Sequence, residues 1–117
     1  MAYVDGFVAP VPADNKAAYI AYAEACWPLF ARAGALRMME TWGDAVPDGV
    51  HTSFPMAVKL EPGEVVVFSW IEWPDKATRD ACHAAMPQQV EWENLGPMPL
   101  DGKRMVYGGF SPIVSRP

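Results

Sequence analysis

Basic residues are scarce in this 117-residue chain. Nine Lys and Arg stand against fourteen Asp and Glu, for a formal net charge of −5. Apart from Lys103-Arg104 the cations are scattered singly, so no basic stripe can follow a phosphate backbone or an anionic membrane, which excludes nucleic acid and the membrane surface as partners. Cysteine is limited to Cys26 and Cys82, with no CxxC or Cys/His ligand spacing, which excludes a disulfide framework and a thiolate metal centre. The two histidines, His51 and His83, have no second ligand at i+3 or i+4, whereas a zinc or iron site needs three or four ligands, so no metal and no cofactor is expected. Cys82 and His83 are neighbours on a helix and point apart, which rules them out as a nucleophile and base pair. No phosphate loop, HExxH or GxSxG motif, repeat or low-complexity tract occurs. No apolar run approaches a membrane span of roughly 20 residues, and no secretory signal pattern opens the chain, so the expectation is a cytoplasmic protein.

Apolar residues make up 51% of the chain and charged ones 20%, inside the globular range. A chain of this length hides roughly two-thirds of its unfolded surface, and residues 1–117 read as one domain. Five Trp and seven Met exceed what one small core needs and point to a further buried surface such as a dimer interface.

Residues 3–11 read as a strand stopped by Pro10 and Pro12. Asp14 is placed to cap a helix in which Tyr19, Ala23, Cys26 and Phe30 share one face, Pro28 introduces a kink and Gly34 is the stop. Residues 35–42 read as a second strand. From 43 to 63 the pattern dissolves into turns, an unusually long connection suited to a functional loop or an arm that packs on a partner. The run Glu64–Trp73 is nearly continuously apolar and predicts a strand buried on both faces. Asp75 caps a helix over 77–86 that Pro87 ends, a short helical turn follows around 88–94, and Asp101–Phe110 reads as the last strand. Glycines inside the first and last strands predict close approach there. The order is βαββαβ, a ferredoxin-like antiparallel sheet with both helices on one face. A second copy of the chain is the simplest cover for the other face.

Charged residues inside apolar strands are the chemical signal: Asp5, Glu40 and Glu72 as candidate acids or bases, Arg37 and Arg104 as their candidate partners. Ionised groups taken out of water must be paired. One reading makes them seam contacts in a solid dimer, with Glu72 paired to Arg37 or Arg104. The other makes them part of a small pocket with Trp42, Trp70 and Tyr107 as walls and a carboxylate of raised pKa as proton donor or acceptor. Alternation groups Trp70 with Glu72 and Glu40 with Trp42, without saying whether the two pairs share a side of the sheet. It assigns no role to His51, His83, Cys26 or Cys82.

Four stretches carry a resemblance. Tyr3-Val4-Asp5-Gly6-Phe7-Val8, Ala35-Leu36-Arg37 through Glu40 with Trp42-Gly43-Asp44-Ala45-Val46-Pro47-Asp48-Gly49, Phe68-Ser69-Trp70-Ile71-Glu72-Trp73-Pro74-Asp75-Lys76 through Arg79-Asp80, and Asp101–Phe110 look like the bacterial YbaA-like family, a family of uncharacterised proteins that resembles the dimeric α+β barrels. The resemblance implies an α+β homodimer with no established reaction, a small-molecule-binding or structural protein. At fold level it also admits a cofactor-independent enzyme, monooxygenase- or isomerase-like, acting on a small organic substrate between sheet and helices or at the dimer seam. A solid barrel predicts no cavity, whereas an enzyme predicts one of a few hundred Å³ lined by the carboxylates.

Overall fold

Alternating apolar residues and paired glycines set up the sheet. In the computed structural model, which describes residues 1–117, β1 (Tyr3–Pro12) pairs antiparallel with both β3 (Glu64–Trp73) and β4 (Val106–Phe110), and β2 (Arg37–Trp42) pairs antiparallel with β3. The order is β2-β3-β1-β4. The chain is therefore α+β with a four-stranded antiparallel sheet. The first and last strands lie side by side, Val4 opposite Phe110 and Val8 opposite Val106. Their glycines serve close approach: a Cβ on Gly109 would come within 2.5 Å of the Tyr3 hydroxyl. β1 runs on through Pro10 and Pro12 instead of stopping. β4 reaches only as far as Val8, which leaves β1 an edge on that side, where proline's missing N–H removes no rung.

Helix α1 (Lys16–Arg32) starts without a side-chain cap. Asp14 falls in a 3-10 turn, and the Asn15 side chain donates to the Pro99 carbonyl at 3.2 Å, tying the helix start to the segment before β4. The helix carries Pro28 within it and ends where expected. Gly34 at φ +106° lets its own N–H reach the Ala31 carbonyl and that of Ala35 reach the Phe30 carbonyl. Between β2 and β3 the long connection holds one short helix, α2 (Phe54–Ala57), capped by Ser53. Asp75 caps α3 (Lys76–Ala85) through its hydrogen bond from the Thr78 N–H at 2.7 Å. A single turn, α4 (Val90–Glu93), follows. The last strand begins at Val106 and not at 101, because Asp101 caps a 3-10 turn over Gly102–Arg104. No helix is long and apolar enough to cross a membrane.

Both long helices lie on the face made by Asp5, Phe7, Ala9 and Val11 of β1 and Val67, Ser69, Ile71 and Trp73 of β3. The core there forms two clusters, Ala9, Val11, Tyr19 and Val67 at one end and Ile71, Trp73 and Cys82 at the other. The opposite face differs from the expected double burial. Val66 is buried, but Phe68 is 45% exposed and Trp70 and Glu72 are half-buried. Phe68, Trp70 and Glu72 with Val4, Val8, Val106 and Phe110 line a shallow apolar groove; Phe54 of α2 packs on Phe68 at its edge, ring centroids 5.7 Å apart, and the rest is open on this side.

Candidate functional site

The two core clusters do not meet, and the space between them is a cavity of about 330 Å³. Its walls are drawn from both: Tyr19 and the nearby Leu100 and Met105 from one, Phe30, Met38, Ile71, Met86 and Trp92 from the other. Tyr22, Ala23 and Cys26 of α1 close one side. Phe30 meets Trp92 edge to face, ring centroids 4.8 Å apart, which fixes the α4 turn over the cavity.

Two polar groups of residues face this apolar space. The first is built on Asp5, an inward position of β1 buried to 8% exposure. Its Oδ2 accepts from Trp73 Nε1 at 3.0 Å and lies 3.0 Å from His83 Nε2, while its Oδ1 accepts from Arg79 Nε at 2.9 Å. A carboxylate offers only lone pairs, so His83 donates to it from Nε2, an arrangement that in the neutral ring puts the lone pair on Nδ1, which makes no hydrogen bond in the chain. The bond from Asp5 raises the Arg79 guanidinium pKa further, so it is a fixed cation beneath the carboxylate. Arg79, Cys82, His83 and Met86 stand at i, i+3, i+4 and i+7 of α3 and the turn that continues it, which turns all four toward the sheet.

The second group is built on Glu40, an inward position of β2 opposite Ser69. The Tyr19 and Ser69 hydroxyls both donate to Oε1. Burial raises the Glu40 carboxyl pKa, and these two bonds only partly offset it. Oε2 has no partner within the chain and is not a buried orphan, so it is open to the cavity that Glu40 lines. Burial and the Glu40 carboxylate also raise Tyr19, and burial first and Glu40 second push the Cys26 thiol up to about 11. β1 and β2 flank β3, so the strands carrying Asp5 and Glu40 run two strand spacings, about 10 Å, apart.

Of the residues singled out from sequence, Asp5, Glu40 and Tyr107 line the cavity. The others do not. Trp42 shares Glu40's face but packs on the Ala9, Val11, Tyr19 and Val67 cluster, with the Lys16 ammonium 5.3 Å from its ring. Trp70 and Glu72 have the opposite parity from Ser69 and Ile71 and point to the uncovered face, where Trp70 Nε1 donates to Glu72 Oε2 at 3.1 Å. Arg37 is Glu72's partner at 3.9 Å, both side chains being largely exposed. Arg104 lies far from Glu72 in a separate cluster, held by both Glu64 oxygens at 2.7 Å and by Asp101 at 3.0 Å. That contact holds the Glu64 carboxyl below its ordinary pKa. Sequence reasoning missed His83 and Arg79 as site residues. The 79, 82, 83, 86 stripe was the available signal, but nothing local says which strand residue it meets.

The chain matches the family described as "Protein of unknown function (DUF1428)" over residues 2–102. It is 54% identical over 115 residues to the "Uncharacterized protein YbaA" of Escherichia coli K12, covering 97% of this chain and 98% of that protein, and equally to the protein of the same name from Shigella flexneri. Among solved structures, Rv0793 from Mycobacterium tuberculosis superposes with a TM-score of 0.50 at 16% identity, covering 97% of this chain and 96% of that one, a likeness of fold alone. No reaction is named in any of these relatives. With both the family match and the identity running over nearly its whole length, the chain belongs to the DUF1428 family, together with YbaA.

Proposed function

We propose that this protein is a homodimer that binds a small, uncharged, mainly apolar organic molecule in the cavity between its sheet and its helices. The observation that carries the reading is the cavity itself: about 330 Å³, mostly apolar walls, and a few converging polar groups from Asp5, His83 and Glu40. A solid barrel offers no such space. The two acidic residues disfavour an anion, and the arginine nearest the site, Arg79, is already committed to Asp5 and Asp80. Shape and one or two hydrogen bonds therefore select the ligand. The test is saturation-transfer NMR with 2-tetralone, a flat neutral ketone of suitable size. Wild type is expected to bind it. Ala23→Phe, which fills the cavity from α1, is expected to weaken binding at least about tenfold with the far-UV circular dichroism unchanged. Equal binding by a folded Ala23→Phe would overturn the reading.

The dimer rests on the uncovered sheet face. Its apolar residues span β3, β1 and β4, with the Arg37–Glu72 pair at one border, and a two-fold partner presenting the same face would cover it. A stable interface of this kind buries at least roughly 1,600 Å² in total. The two unbridged, buried thiols suit a reducing, cytoplasmic setting.

A further inference from the structure

Resting on the proposed ligand cavity, we infer that this site moves protons on its ligand: His83 acts as general base and Glu40 as general acid on a neutral ketone with an acidic C–H beside its carbonyl. The geometry supplies each requirement of such a step. His83 is oriented and tautomerised by Asp5, which Trp73 and Arg79 in turn hold, so the free lone pair sits on Nδ1. Its side chain is 41% exposed, so a proton taken from the ligand can pass to water. Glu40 stands across β3 from Asp5, with Oε1 filled by two hydroxyl donors and Oε2 open. With Oε1 occupied by the two hydroxyls, a proton on this carboxyl, whose pKa burial raises, has its place on Oε2, facing the cavity. Two titratable groups whose surroundings separate their roles, at opposite ends of one apolar space, make an acid and base pair.

The step balances without any co-reactant. His83 Nδ1 takes the proton from the carbon beside the carbonyl, the C–H electron pair becomes the C=C bond of the enol, and the carbonyl π pair takes the proton from Glu40 Oε2. Return of a proton from His83 to carbon and of the enol proton to Glu40 restores the ketone, with exchange or migration of hydrogen as the net result. A neutral substrate is required, because the cavity offers no uncommitted arginine or lysine for a carboxylate or phosphate.

The experiment is exchange of the C1 protons of 2-tetralone in D₂O, followed by proton NMR, with binding of the same ketone measured in parallel. Wild type is expected to accelerate exchange over buffer. His83→Gln should lose at least about 100-fold of that acceleration. Glu40→Gln, which can still donate a hydrogen bond but cannot transfer a proton, should lose less, about tenfold. Exchange is read per bound ketone, each variant's own binding of 2-tetralone being measured and saturated, so that a loss of ligand is not mistaken for a loss of proton transfer. Binding without acceleration by wild type would overturn the proton-transfer assignment and leave the binding reading standing. No binding would overturn both. Acceleration that survives His83→Gln, in a variant that still binds, would remove His83 from the role.

Discussion

At the scale of single residues, the same burial that makes this cavity also sets its chemistry. Glu40 holds its proton more tightly folded than unfolded, because burial disfavours its charge. The stability it contributes is complete below the unfolded carboxylate pKa of about 4.3 and is lost as pH rises through the higher folded value. Gln keeps the two hydroxyl bonds and does not titrate. Glu40→Gln is therefore expected to gain stability relative to wild type in thermal unfolding as pH rises from the unfolded carboxylate range through Glu40's raised folded value, and to level off above it, with Tyr19 and Cys26, the titratable groups facing it, silent over that range. A difference that stays flat with pH would contradict the burial account. Asp5→Asn faces the opposite fate. It leaves the largely buried Arg79 cation with only the more exposed Asp80 as partner charge, and urea unfolding should show a loss of about 3 kcal/mol. Cys26, pushed up to about 11, and Cys82, raised by burial and then by Asp5, are both thiols and not thiolates at neutral pH. Iodoacetamide at pH 7.5 should label neither in native protein and both in urea.

Among elements, α1 and α3 meet the sheet through a few committed contacts. Gly34 closes α1 in a left-handed conformation, and a Cβ placed there would lie 2.6 Å from Thr78 Cγ2 of α3. Gly34→Ala should cost about 1–3 kcal/mol in denaturant unfolding, from backbone strain together with displacement of α3. Since α3 carries His83 and Arg79, the same variant should weaken ligand binding although Gly34 touches no ligand. The 3-10 turn over Gly102–Arg104 shortens β4 because Asp101 and Glu64 bind Arg104 from two sides. Strand propensity at Lys103 and Arg104 gives way to these local charge-assisted bonds.

For the whole molecule, the proposed dimer stands or falls with the open sheet face. Phe68, on the β3 side of the apolar groove beside Phe54 of α2, is 45% exposed. Phe68→Lys is expected to give a folded monomer by sedimentation velocity at micromolar concentration, where wild type is expected to sediment as a dimer. Glu72 tests the same surface differently. Its ion pair with Arg37 is open to solvent in the single chain, so Glu72→Gln should change the stability of the Phe68→Lys monomer by less than about 1 kcal/mol. A larger loss in the wild-type dimer would show that the partner copy covers the pair.

Alternation, caps and breakers along the chain determined the βαββαβ order, the stop of α1 at Gly34 and the Asp75 cap of α3, because each of these depends on neighbours within a few residues or on a period of 2 or 3.6. They also marked Asp5 and Glu40 as charges in apolar strands. Only the tertiary structure decided which side of the sheet each charge occupies. β2 and β3 could pair in either of two registers related by one residue, and that slip moves Glu40 and Trp42 from one face to the other. The register observed, Glu40 opposite Ser69, sends Glu40 to the helices and leaves Glu72 outside. The cavity is likewise tertiary, since it is the gap between two clusters that gather residues as distant in the chain as Ala9 and Met105. His83 becomes a candidate base only because α3 packs over β1 and brings it to Asp5, 78 positions away.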